Sequence, residues 1–408
     1  MIDASIAGNP TGAKELLLGA HDTNCVGINQ ASVAFYLSTD LGSAWQRTEC
    51  MPTASGYIAV DEPYVAFDAK GNAYASATFA AGNYGLVAAQ KSANGASWGE
   101  PVVALRQSGR GNFWYLTDLA VDASPSSPRT GAVYVSGVYV SHFGNDDQVF
   151  VSHSTDGGST WTQAPADGVQ RYPDTEGFTR MAVAKSGAVY ATWLRCRFLK
   201  NGQTCKTLPV MLSTSSDGGN TWSATQQIAE VAVAPGGLPN TGGERMYDYP
   251  SIAVDNSNGP NAGNLYIAMY NWTGTFMQVI VVRSTDGGKS WSKPLPLAPK
   301  SDTHDQFFPA ISVNKNGLVG VSWLDRRNDP NNIDYQAFAA ISYDGGQTFG
   351  PNWQLTTAFS DPKVNGTGNN WMGDYTGNTW VDDKFIAAWM DSSNGTDMQI
   401  VIGGVQLK

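Results

Sequence analysis

Ser154 to Trp161 reads STDGGSTW, and close copies recur as STDLGSAW at Ser38 to Trp45, SSDGGNTW at Ser215 to Trp222, STDGGKSW at Ser284 to Trp291 and SYDGGQTF at Ser342 to Phe349. A worn copy, KSANGASW, runs from Lys91 to Trp98. The copies start at 38, 91, 154, 215, 284 and 342, so successive starts lie 53, 63, 61, 69 and 58 residues apart. That period suits a four-stranded antiparallel sheet with its loops, and repetition at this length marks a radially repeated β architecture. Within the octapeptide, glycine supplies positive φ for a hairpin turn, while the Asp and Ser side chains can take up backbone amides that the turn leaves unpaired. The terminal Trp or Phe is expected to pack between neighbouring sheets.

Around each copy the same grammar returns: an inner strand, a turn, a second apolar strand, a third strand, the octapeptide, then a polar outer strand. In the fifth repeat these are Tyr249 to Asp255, Asn264 to Tyr270 and Gln278 to Arg283. Equivalent inner strands are expected to begin near Ile2, Asp61, Leu116, Phe178, Phe308 and Asp374, which with Tyr249 makes seven. The last repeat has strands around Tyr375 to Val381, Phe385 to Met390 and Met398 to Val405, after which no octapeptide follows. The reading is an all-β chain forming a single β-propeller domain over residues 1–408, built from seven four-stranded blades, with six blades as the alternative.

The octapeptide resembles the Asp-box, or BNR repeat, of sialidase-like propellers, and the resemblance covers nearly the whole chain at blade-length spacing. It implies the fold. It does not select a chemistry, since Asp-box propellers include glycosidases, lyases and binding proteins.

The chain has 408 residues, 42% hydrophobic and 15% charged, with 45 glycines, a composition suited to many short strands and tight turns. A formal net charge of -10 without a Lys/Arg run opposes binding to phosphate backbones, so nucleic acid is not an expected partner. No apolar stretch approaches the roughly 18 residues that span a bilayer. Cys25 with Cys50 and Cys196 with Cys205 form two pairs close in sequence, which points to local disulfides and an oxidising compartment. A secreted or periplasmic monomer whose signal peptide was removed is the expectation.

In a propeller, starts of inner strands and ends of second strands open on the face away from the octapeptides, where loops on a rigid scaffold carry ligand chemistry. Starts of inner strands offer Glu176, Arg180, Arg245, Tyr247, Tyr249, His304, Trp371, Asp374 and Tyr375. Ends of second strands offer His21, His142, Trp193, Trp272, Arg326 and Arg327. Aromatic platforms mixed with carboxylates and arginines suit a carbohydrate, whose rings present apolar faces and whose hydroxyls take hydrogen bonds. As candidate catalytic residues we take Glu176, Arg180, Arg245, Tyr249, His304, Arg326, Asp374 and Tyr375. His21, His142, Trp193, Tyr247, Trp272, Arg327 and Trp371 are candidate substrate contacts.

The sialidase resemblance implies an arginine triad for a sugar carboxylate, matched in type by Arg180, Arg245 and Arg326 or Arg327, with Glu176 beside Tyr375 or Tyr249. The family's Arg-Ile-Pro signature is absent, Ile2-Asp3-Ala4-Ser5 standing at the corresponding start. The first expectation is a glycoside hydrolase acting on an acidic or decorated glycan. A polysaccharide lyase, with His and Tyr moving protons while Arg neutralises a uronate, is the second, and a non-catalytic glycan- or protein-binding propeller the third. No cofactor is expected beyond a structural calcium ion in a carboxylate-rich loop such as Asp325 to Asp334.

Overall fold

A computed structural model describes the chain except residues 83, 107–111, 142–144, 199–204, 248, 365–370 and 408. The protein is an all-β propeller of seven blades, which removes the six-bladed alternative. Inner strands run over Ile2–Gly8, Ile58–Phe67, Phe113–Val121, Asp174–Val183, Ser251–Val254, Gln306–Val313 and Gly377–Val381. Each lies within a few residues of its expected start. Five blades are simple four-stranded meanders, and the third adds a short strand, Gln170–Arg171, paired to Asp146–Ser154. The seventh has three strands among the described residues, ending with Gln399–Gln406.

The chain divides into two compact units. One comprises Ser5–Cys205 and Pro209–Ile228, and the other Met1–Ala4, Lys206–Leu208 and Ala229–Lys408. Each has its own apolar core. In the first, second and third strands bury alanine, valine and phenylalanine, as at Ala73, Ala75, Ala77 and Phe79. In the other, Phe307, Leu324, Ala337, Ala339, Phe385 and Trp389 belong to one cluster. Small residues alternating with large ones let sheets interdigitate at close range.

The octapeptide turns are built as their residue types require. In Ser215–Trp222, Ser215 Oγ donates to Asp217 Oδ1 at 2.8 Å and accepts from the Gly219 amide at 2.8 Å. Asp217 in turn accepts from the Thr221 amide at 2.9 Å and from Thr221 Oγ1 at 2.6 Å. The Thr221 hydroxyl, the Thr221 amide and the Ser215 hydroxyl together hold the Asp217 carboxyl down to about 2. Both turn glycines have positive φ, 79° at Gly218 and 93° at Gly219, and a Cβ at Gly219 would press on the His153 ring at 3.2 Å. The terminal aromatics pack between blades in part, Trp222 and Phe349 lying against cores that draw on two neighbouring blades. The indole N–H groups of Trp45, Trp161 and Trp291 instead donate to carbonyls of their own turns, those of Gly42, Gly158 and Gly288. Trp98, in the worn copy, likewise packs between blades, 5.4 Å from the Phe35 ring of the preceding blade.

A second repeated device was not anticipated. Among the described residues, five inner strands carry a non-glycine residue at left-handed φ near their start: Asp3 at 59°, Glu62 at 56°, Leu116 at 53°, Phe178 at 64° and Phe308 at 48°. The pairing register slips at these points, between Asp61 and Tyr64, Gly177 and Arg180, and Phe307 and Ala310. Such bulges turn the strand start out of the ladder and re-aim its side chains. Side chains of the inner strands then tie neighbouring blades. Ser5 Oγ accepts the Val65 amide at 3.1 Å, Asp118 Oδ2 the Met181 amide at 2.7 Å, and Ser251 Oγ the Ile311 amide at 3.0 Å.

Candidate functional site

The strand register fixes which end of each blade faces away from its octapeptide. In blade five Val254 pairs with Leu265 and Leu265 with Ser284, so the octapeptide end lies there and Tyr249 and Trp272 lie at the other. In blade six Gln306 pairs with Asp325 and Asp325 with Gln336, at the end away from Ser342. In blade four Glu176 pairs with Arg195 towards the end away from Ser215, whereas Arg180, paired with Thr192, and Trp193 lie in mid-strand.

Arg245 and Asp374, 129 residues apart in sequence, form a forked ion pair, Nε donating to Oδ1 at 3.0 Å and a second guanidinium nitrogen to Oδ2. The guanidinium lies 4.6 Å from the Trp371 ring and 4.9 Å from the Tyr247 ring, within cation–π range of both. Tyr247 is 37% exposed, Trp371 is half-buried, and Asp374 is buried. The Asp374 amide donates to Asp3 Oδ1 at 2.6 Å, which employs the left-handed turn at Asp3 to anchor the loop. Tyr249 and Tyr375 are buried with their rings edge to face at 5.4 Å. Arg245, Tyr247, Trp371 and Asp374 thus form one aromatic and charged platform, and Tyr249 and Tyr375 pack as a pair.

Arg326, by contrast, is wholly buried. Its guanidinium donates to the Pro239 carbonyl at 2.8 Å and pairs with Asp305 at 3.2 Å, a pair that Asn332 extends by donating to Asp305 at 2.8 Å. It presents no surface to a carboxylate. Arg327 is also committed, to Asp325 at 2.5 Å and Asn352 at 2.9 Å, with its plane 4.4 Å from the Phe338 ring. Trp272 is half-buried against the same core as Phe307. In the loop of Asp325 to Asp334, Asp329 accepts the amides of Asn331, Ile333 and Asp334 at 3.0, 2.8 and 2.8 Å. Asp329 thus orders this loop through its own backbone amides. No group of three or more His, Cys, Asp or Glu placed to hold a metal occurs among the described residues.

The other unit contributes a separate acidic cluster. Glu176 Oε1 accepts from Trp193 Nε1 at 2.8 Å and from Arg195 at 2.9 Å, while Arg195 also pairs with Asp167. The Glu176 side chain is fully buried, and its second oxygen has no hydrogen-bond partner. Burial, then the Asp167 carboxyl, push Glu176 up to about 8 against the pull of Arg195. Trp193 is buried and serves this carboxyl rather than an open face. Arg180 lies 4.7 Å from the Tyr64 ring and donates to the carbonyls of Thr117 and Thr179 at 3.3 and 3.1 Å. His21 is half-buried, and burial pushes it down to about 4. His142 lies outside the described residues.

Asp167 and Asp302 were missed by sequence reasoning. The first precedes its inner strand by several residues, and neither it nor Asp302 stands in a pattern that separates it from a turn residue.

No protein-family model matches the sequence, and a search of curated proteins finds no match. Solved structures do match the fold. A polysaccharide lyase of family PL25, an ulvan lyase, is similar with a TM-score of 0.55 at 12% identity, covering 98% of this chain and 94% of that one. The α-L-arabinofuranosidase Arb93A from Fusarium graminearum is similar with a TM-score of 0.51 at 13% identity, covering 83% of this chain and 91% of that one. At such identities the likeness is one of fold, a β-propeller in each case.

Proposed function

We propose that the chain is a secreted or periplasmic carbohydrate-active propeller of the Asp-box type, a sialidase-superfamily glycoside hydrolase that acts on an acidic or decorated glycan. The observation that carries this reading is the Arg245–Asp374 pair beside the Tyr247 and Trp371 rings. Flat aromatic faces beside a charged group suit a sugar ring with its hydroxyls and a negative substituent. The two disulfides, Cys25–Cys50 and Cys196–Cys205, support an oxidising compartment. The octapeptides act as turn supports, remote from the chemistry.

We leave the arginine triad of the sialidase pattern aside, because Arg326 is buried and Arg327 is bound to Asp325 and Asn352. A polysaccharide lyase is the second reading, favoured by fold overlap with the ulvan lyase along nearly the whole chain. Incubation with acidic and neutral oligosaccharides separates them: new reducing ends without ultraviolet absorbance support a hydrolase, and an unsaturated, absorbing product supports a lyase. Binding without either product would make the propeller a lectin-like module, and no binding would remove the carbohydrate reading.

A further inference from the structure

His304 differs from the other described histidines. His153 is buried against Gly219, and burial lowers it, while His21 is pushed to about 4. His304 stands 31% exposed, two residues before an inner strand, and its Nδ1 lies 2.9 Å from Asp302 Oδ1. Asp302 is itself held fast. The same oxygen accepts the His304 amide at 3.1 Å, and Oδ2 pairs with Arg327 Nε at 3.4 Å and accepts from Gln306 at 3.4 Å. Arg327 is in turn clamped by Asp325 and Asn352. The Asp302 side chain is only 8% exposed, so its charge is directed to these partners and not to water. Nε2 of His304 carries no hydrogen bond among the described residues.

We propose that Asp302 and His304 form a base dyad in which Asp302 holds the Nδ1–H of His304, so that Nε2 accepts the proton of a hydroxyl group on a bound carbohydrate. A carboxylate on one ring nitrogen fixes the tautomer and makes the other a directed acceptor. In the transfer the O–H bond breaks with its electron pair left on oxygen, the Nε2–H bond forms, and Asp302 offsets the charge of the imidazolium. His304 is the proton acceptor, while Asp302 is a positioning residue, as is Arg327 one contact further out. The ligand class rests on the carbohydrate reading above, but the orientation of the ring does not.

Nitrogen-15 NMR of the imidazole rings tests both parts. In the free protein His304 is expected as the Nδ1–H tautomer, and Asp302→Asn should abolish that preference. An Nε2–H tautomer in the wild type, or one indifferent to Asp302→Asn, would overturn the dyad. If Asp302→Asn does not fold, the wild-type tautomer alone decides. Addition of a mixture of sialylated and uronate-terminated oligosaccharides should then move the His304 Nε2 resonance. Shifts elsewhere with Nε2 unmoved overturn this assignment while leaving the carbohydrate reading intact; no shift anywhere removes both. Where a glycan is bound or turned over, His304→Ala should reduce the effect at least about tenfold.

Discussion

Arg245 shows how a residue picked for chemistry also carries structure. Its guanidinium neutralises a buried Asp374, so Arg245→Met leaves that carboxylate facing aromatic rings and the Asp3 loop. The expected loss of stability is on the order of 2 kcal/mol, below that of a fully buried pair because Arg245 is partly solvated. Adding Asp374→Asn should recover part of it, and chemical denaturation of the single and double variants measures the coupling. Glu176 gives a second test. Its folded value near 8 lies above the ordinary 4.5, so the folded state binds more protons and stability falls as pH rises from about 4.5 through about 8. Glu176→Gln should flatten that slope, and an unchanged pH profile of melting would show that Glu176 is ionised in the fold. Residue types at strand starts were legible because the period-2 pattern locates each inner strand. Their partners were not: Arg245 and Asp374 lie on different blades, and nothing in the local sequence of Arg326 separates its burial against Asp305 from the partial exposure of Arg327.

At the scale of elements, the octapeptide was the most readable feature because its hydrogen bonds are local, each Asp bonding residues three or four positions on. Asp344 lies near 2 even though partial burial acts the other way, its carboxylate taking up the Thr348 hydroxyl and amide. Asp344→Asn should lower stability by about 1 kcal/mol, comparable to losing a side-chain cap, with carbohydrate binding intact. The sign follows from the depressed value: this contribution is present above about pH 4 and lost as pH falls towards 2, so the difference from wild type should narrow in acid. Loss of binding in a folded Asp344→Asn protein would place the octapeptides in the working site. The inner-strand bulges were illegible for the opposite reason. Glycine announces positive φ, but Asp3, Glu62, Leu116, Phe178 and Phe308 adopt it because neighbouring backbone demands it. Glu62 pays for its conformation by accepting the Thr117 amide at 3.0 Å and the Thr78 hydroxyl at 2.5 Å.

For the whole molecule, seven blades and both disulfide pairings follow from spacing, since each blade repeats one grammar and each pair of cysteines lies within 25 residues. Spacing does not carry the choice of ligand, because one scaffold supports many loop chemistries. That choice rests on the platform of Tyr247, Arg245 and Trp371. The most direct test is calorimetric titration of wild type and Tyr247→Ala with the oligosaccharide that the wild type binds best in a screen of acidic and neutral glycans. Tyr247 is the most exposed member of the platform, so its removal should leave the melting temperature within a few degrees of wild type. The platform reading predicts at least a tenfold weaker affinity in Tyr247→Ala, whereas equal affinity in the two proteins, or no glycan bound by the wild type, would contradict it.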